Sequence, residues 1–252
     1  MNEEYTLSTP FVGRLHDLGF SVNNNPHYYD SSTLFWSLTR LFSYYERIIR
    51  PIYTAQSYFH PFIESDIENY IIRQRIILND IAYIVRQLLP NTIRGLKGLN
   101  DGAKSKNIEM SIMDLYKYLE KNTTEFEGLH EIIKKNMVWI LKLRKQRDRI
   151  IHYKAKVLLF ETKPDISFAI LDPSGKVETI TTPEGEQKLV LTPVVEFINS
   201  QTKSLWEFIN IDLSKWLEDY IKRNNISYIE VGKDSRMSCV GIPLFREING
   251  IK

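Results

Sequence analysis

The sequence predicts a mainly α protein: a helical bundle of four to five helices carrying a small antiparallel β appendage. Three observations predict it. Apolar residues recur at helical spacing over most of residues 30–155 and again over 192–222. Over 156–191 the pattern changes to short β-branched runs bounded by turn residues. The 252 residues are 43% hydrophobic and 25% charged, which is a globular composition on a chain long enough to bury a sizeable core.

Residues 1–29 mix Gly, Pro and Asn with scattered apolars and read as an irregular N-terminal arm. Asp30 is placed to cap a helix that carries Leu34, Leu38, Leu41, Phe42, Tyr45 and Ile48 and stops at Pro51. Ser65 and Glu68 have capping-box spacing ahead of the stripe Ile67, Tyr70, Ile71, Ile77, Leu78, Ile81 and Val85, which Pro90 closes. Residues 91–107, with three glycines and four bases, read as a flexible loop. A third helix is expected over about 108–121, burying Ile112, Leu115, Tyr116 and Leu119. A fourth and longer one is expected from about 124 to 155, capped by Thr124, with Val138, Leu141 and Leu143 among its apolar residues.

Val157–Phe160, Ser167–Leu171, Lys176–Thr181 and Gln187–Leu191 read as four strands of one meander, with turns at Asp172–Gly175 and Thr182–Gly185. Thr192 and Pro193 then have N-cap and N1 character for a last helix, with a break near Asn210–Asp212. Domain organisation follows: an arm at 1–29, a helical domain at 30–224 with the meander inserted at 156–191, and a tail at 225–252 holding a strand-like run at Ile226–Val231.

The single cysteine, Cys239, excludes a disulfide framework and a cysteine-built zinc site. No apolar run reaches the ~18–20 residues of a membrane helix, and the acidic start Met1-Asn2-Glu3-Glu4 is unlike a signal peptide. A cytoplasmic location is expected, with no membrane partner. His16, His27, His60 and His130 have no partners at metal-ligand spacing, so neither a metal nor another cofactor is expected.

The net charge of +2 hides an uneven distribution. Lys134 to Lys156 holds nine bases and one acid, Asp148, so this segment carries +8 and the remainder −6. Acids at the start and bases at the end of one helix also complement its dipole. The alternative is a footprint for a polyanion.

Inside this segment lies Arg147-Asp148-Arg149-Ile150-Ile151-His152, near the end of a basic bundle helix. It resembles the signature of the HEPN superfamily, an Arg and a His separated by four to six residues, often with a polar residue directly after the Arg. The resemblance covers residues 30–222 as architecture and six residues as motif. It implies a dimeric helical bundle and, in many members, a metal-independent ribonuclease of toxin–antitoxin or phage-defence systems. The toxin-type motif carries a Tyr two places after the His. Here Tyr153 follows immediately and Lys154 stands second, so regulation through that Tyr is not implied.

The residue types suit cleavage of single-stranded RNA through its own 2′-hydroxyl. His152 can exchange protons near neutrality, and Arg147 offers a permanent planar fork to a phosphate. Asp148 is four residues before His152, shares its face, and can orient the imidazole. Arg147 and His152 stand about 140° apart around an ideal helix, which favours a composite site assembled from two protomers. Arg144, Lys145, Arg149 and Lys154 are expected as RNA contacts. The expected partners are RNA, a second copy of the chain and an antitoxin or defence-system protein. Two alternatives stay open: a non-catalytic HEPN-like module that binds RNA, a nucleotide or a protein, and a helical adaptor in which His152 merely bonds a backbone carbonyl. Gly95-Leu-Lys-Gly98 resembles a phosphate-binding Gly-x-x-Gly turn without the surrounding β-α pattern. The aromatics of 28–62, among them Tyr28, Tyr29, Trp36, Tyr44, Tyr45 and Phe59, have core or interface spacing more than that of a base-stacking platform.

Overall fold

The computed structural model describes residues 6–21, 27–54, 60–88, 111–122, 128–162, 165–174, 179–228, 230, 236–238 and 241–251. The fold is mainly helical with a small three-stranded antiparallel sheet. The loop predicted at 91–107, Thr124 and Cys239 lie outside the described residues.

The N-terminal segment departs from the irregular arm expected at 1–29. Thr6–Ser8 forms strand β1 and Pro10–Ser21 forms helix α1. Phe11, Val12, Leu15 and Leu18 bury completely or nearly so, at the i, i+1, i+4, i+7 spacing of one helix face. Arg14 fixes this helix to the rest of the protein. It donates to Asp17 and Glu218 and lies 4.4 Å from the Tyr228 ring centroid.

Helix α2 spans His27–Tyr53, so neither Asp30 nor Pro51 bounds it. Pro51 stands in the last turn, where it gives up the bond its amide would make to the Arg47 carbonyl and only two helical residues follow it. Helix α3 spans His60–Leu88, which puts Ser65 and Glu68 inside the helix instead of at its cap. The apolar stripes of α2 and α3 face each other; Leu34, Leu38, Ile48, Ile67, Ile71 and Ile81 are all at most 1% exposed. Helix α4, Ile112–Lys121, starts at a capping box made by Ser111 and Asp114, and it buries Tyr118 where Tyr116 was expected.

Helix α5 spans Leu129–His152. Its N-cap is Gly128, at φ +86, a left-handed conformation open to glycine without strain. Strand β2 (Lys156–Thr162) pairs with β3 (Asp165–Leu171) along its whole length, from Lys156↔Leu171 to Thr162↔Asp165. The four-stranded meander is not formed. Strands β4 (Thr179–Thr181) and β5 (Gln187–Leu189) make a separate hairpin, closed by a Gly185 to Thr182 backbone bond of 2.9 Å. The third strand of the sheet is β6, Thr192–Pro193, which pairs with Ser167 and Phe168 of β3. Thr192 is therefore in the sheet, and Pro193 itself occupies the cap position of helix α6, Val194–Glu207.

The expected break near Asn210–Asp212 is a π-helical turn, Phe208–Leu213, leading into helix α7, Ser214–Arg223. In the tail, the strand expected at Ile226–Val231 is absent among its described residues. Instead β7, Arg236–Ser238, pairs antiparallel with β1, and helix α8 spans Ile242–Asn249. Phe245 of α8 enters an aromatic cluster with Phe42, Tyr45 and Trp206 at centroid distances of 5.2, 5.5 and 6.4 Å. The segments β1–α1 and β7–α8 are thereby built into the bundle. No described helix is long and apolar enough to cross a membrane.

Candidate functional site

Helix α5 buries Leu129, Ile133, Ile140, Leu143 and Ile150 against α3 and its neighbours. That register turns Arg144, Asp148 and His152 away from the core. The helix stops at Tyr153, after which Lys154 turns left-handed at φ 51. The amides of Tyr153 and Ala155 both return to the Arg149 carbonyl, at 3.2 and 3.1 Å. The Arg147–His152 motif thus occupies a capped, well-defined helix end directly before the sheet.

Arg147 Nη1 donates to Asp148 Oδ1 at 3.0 Å and lies 3.1 Å from His152 Nε2. A guanidinium only donates, so Nε2 is the acceptor in this contact. Two expectations change. Arg147 and His152 meet within one protomer, because the long arginine side chain spans the angular gap that the backbone positions leave. Asp148 does not orient the imidazole: its Oδ1 is 3.9 Å from Nε2, beyond hydrogen-bond reach. It orients arginines instead, bonding Arg147 and pairing with Arg144 Nε at 3.5 Å. The imidazole is 61% exposed and Arg147 31%. The motif is therefore open to a ligand.

The remaining predicted RNA contacts divide. Arg144, Lys145 and Lys154 are exposed. Arg149 is not available in the same way: its Nη2 donates to the Ile170 carbonyl of β3, fastening the helix end to the sheet. The basic segment is also less one-sided than its sequence. Lys135 pairs with Asp212 at 3.1 Å, Lys134 with Glu131 at 3.8 Å, and Lys142 lies over the Phe197 ring. Positive charge is concentrated in the last turns of α5. Val138 and Leu141, two of the apolar residues of this helix, are 83% and 45% exposed, as are Ile151 and Tyr153 beside the motif at 42% and 65%.

The sheet is held beside this site by α3. Glu68 Oε1 accepts from the Val157 amide and Glu64 Oε1 from the Leu159 amide, both at 2.9 Å. On the same stripe of α3, eleven residues after Glu64 and so only about 20° away around the helix, stands Arg75. Sequence reading missed it. Its residue is 8% exposed, and its Nη1 is buried with no hydrogen-bond partner among the described residues. Burial holds its guanidinium below the usual arginine range; Arg144 and Arg147 push the same way, while Asp148 and Asp114 oppose them. The signal was present: a base at position 75, between Ile71 and Leu78 in the apolar register of α3.

Other candidates dissolve into structure. His130 stacks on Tyr116 at 5.1 Å and pairs with Glu131. Phe42 and Tyr45 are core, whereas Trp36 is 58% exposed. The Gly95–Gly98 turn and the side chains of Tyr28, Tyr29 and Phe59 lie outside the described residues. Among the described residues, no three His, Cys, Asp or Glu side chains are grouped to hold a metal ion. No family model matches the chain, and no match was found among the curated proteins or the solved structures.

Proposed function

We propose that this chain is a HEPN-like, metal-independent endoribonuclease that cleaves single-stranded RNA in a site centred on Arg147 and His152, in a toxin or phage-defence role. The observation that carries the reading is the 3.1 Å approach of Arg147 Nη1 to His152 Nε2 at an exposed, basic helix end. A phosphodiester entering this site draws the Arg147 fork to its oxygens, since charge-assisted pairs with phosphate are stronger than a bond to a neutral ring. That releases the Nε2 lone pair. His152 then takes the proton of the 2′-hydroxyl as the 2′-oxygen attacks phosphorus. The bond to the 5′-oxygen breaks, that oxygen takes the proton His152 has accepted, passed on through water, and a 2′,3′-cyclic phosphate remains with His152 returned to its starting state. Arg147 stabilises the charge on the phosphorane oxygens. Arg144, Lys145 and Lys154 steer the strand, and Asp148 sets the pose of Arg147 and Arg144. The exposed apolar residues Val138, Leu141, Ile151 and Tyr153 support a homodimer formed along this helix.

Incubation of the chain with labelled single-stranded RNA and excess EDTA tests the reading. Cleavage leaving cyclic phosphate ends is expected, lost in His152→Ala and Arg147→Ala. Cleavage that persists in both variants, or that stops with EDTA, refutes it. The same contact favours one other reading, a module that binds RNA without turnover: Nε2 is already engaged by Arg147, so catalysis requires the ligand to separate the two. In that case both variants lose binding and no product forms with any RNA.

A further inference from the structure

We infer that Arg75, Arg144 and Arg147 form a single phosphate-binding pocket, in which Arg75 of α3 makes the buried contact beneath the exposed pair on α5. The inference deepens the reading above, because Arg147 belongs to both. It stands on a separate observation: a guanidinium with only 8% of its residue exposed and Nη1 without a partner among the described residues. A buried charge of this kind is costly unless an anion meets it.

The carboxylates that face Arg75 are already committed. Asp148 accepts from Arg147 at 3.0 Å and pairs with Arg144 at 3.5 Å. Asp114 accepts from the Ser111 amide and hydroxyl in the capping box of α4. α3, α4 and α5 pack against one another, and where they meet Arg75 feels two further guanidiniums against two carboxylates that are already occupied, which leaves positive charge over. A tetrahedral oxyanion fits the need. Planar forks approaching from two helices can each take a different edge of it, and its charge offsets the excess. Lys145 and Lys154, exposed at the same end of α5, add charge of the same sign. The phosphate can be an internal one of an RNA strand or a terminal phosphate; the recognising chemistry is shared.

The test uses the full chain and inorganic phosphate, titrated against chloride at constant ionic strength and read by thermal melting and calorimetry. Wild type is expected to gain Tm with phosphate. Arg75→Met, which replaces the buried charge with an apolar side chain of similar length, is expected to melt at or above wild type without phosphate. Its phosphate affinity falls roughly 10- to 100-fold, as for loss of one charge-assisted hydrogen bond. Should that variant fail to fold, Arg75→Lys keeps the charge without the fork and is expected to fold and bind phosphate more weakly. Two oligoribonucleotides of one sequence, with 5′-hydroxyl and 5′-phosphate ends, separate the sources. A terminal phosphate gives a preference for the phosphorylated strand that Arg75→Met abolishes; an internal one gives equal binding, weakened equally. Absence of a phosphate response in wild type, or an unchanged response in the Arg75 variants, overturns the pocket and leaves the ribonuclease reading intact. Absence of cleavage with a normal phosphate response overturns the ribonuclease reading and leaves the pocket.

Discussion

Replacing Glu64 and Glu68 together by alanine tests how the sheet is held against the bundle. Strand β2 is an edge of the β2-β3-β6 sheet, so every second amide has no strand to bond. Glu64 and Glu68 supply acceptors to two of them, Leu159 and Val157, at 2.9 Å each. The spacing is commensurate: four helical residues rise about 6.0 Å and two strand residues about 6.6 Å. Val157 is 2% exposed and Leu159 9%, so neither amide finds water easily once the carboxylates are gone. A hydrogen bond to a charged partner contributes about 1.5–3 kcal/mol. Both carboxylates are partly exposed, which selects the lower end, about 3 kcal/mol for the pair. For a chain of this size that corresponds to a Tm lower by roughly 6–12 °C. Thermal melting followed by circular dichroism, with amide exchange at positions 157 and 159, measures it. The Glu64→Gln, Glu68→Gln protein keeps both acceptor oxygens and is expected to recover part of the loss. Unchanged exchange protection of both amides in the double alanine protein would refute the reasoning, whatever the melting point.

Two further outcomes follow from the same contacts. Arg149→Met removes the donor to the Ile170 carbonyl and is expected to cost about 1.5–3 kcal/mol in urea unfolding; a loss within about 0.5 kcal/mol, the range of ordinary surface substitutions, would return Arg149 to the surface set. Gly241→Ala places a Cβ 2.2 Å from the Phe42 carbonyl oxygen, a backbone atom that cannot step aside. The expected result is a loss of about 1–3 kcal/mol, with early protease cleavage near α8 as Phe245 leaves its aromatic cluster; a variant as stable and as resistant as wild type would contradict this packing.

Helices with long apolar stripes were legible from residue order alone, because burial of a 3.6-residue period needs no knowledge of the partner. The stripe from Ile67 to Val85 and the one from Leu34 to Ile48 are the core of the bundle. The π-helical turn at Phe208–Leu213 showed as an interruption in such a stripe. The basic run and the Arg147–His152 motif were equally legible, since charge and residue type are local properties. Helix ends were not: Pro51 and Ser65 carry local stop and start signals that the α2–α3 packing overrides, and Gly128 caps α5 where the polar pattern pointed to Thr124. Short strands such as Thr6–Ser8 and Arg236–Ser238 exist only because each supplies the other's hydrogen bonds across more than 200 residues.

The make-up of the site is a matter of packing. Spacing placed Asp148 beside His152, yet side-chain length and the pull of two guanidiniums set it on Arg147 and Arg144 instead. Arg149 read as one more base, until the position of β3 gave it a carbonyl to hold. Arg75 did not stand out in the sequence; its burial between packed helices, where Arg144 and Arg147 act on it, is what marks it. A sequence orders residues along one helix by angle and rise. Which charges finally share a site depends on which other helix arrives, and that is settled by burying the apolar faces, with the polar groups carried along.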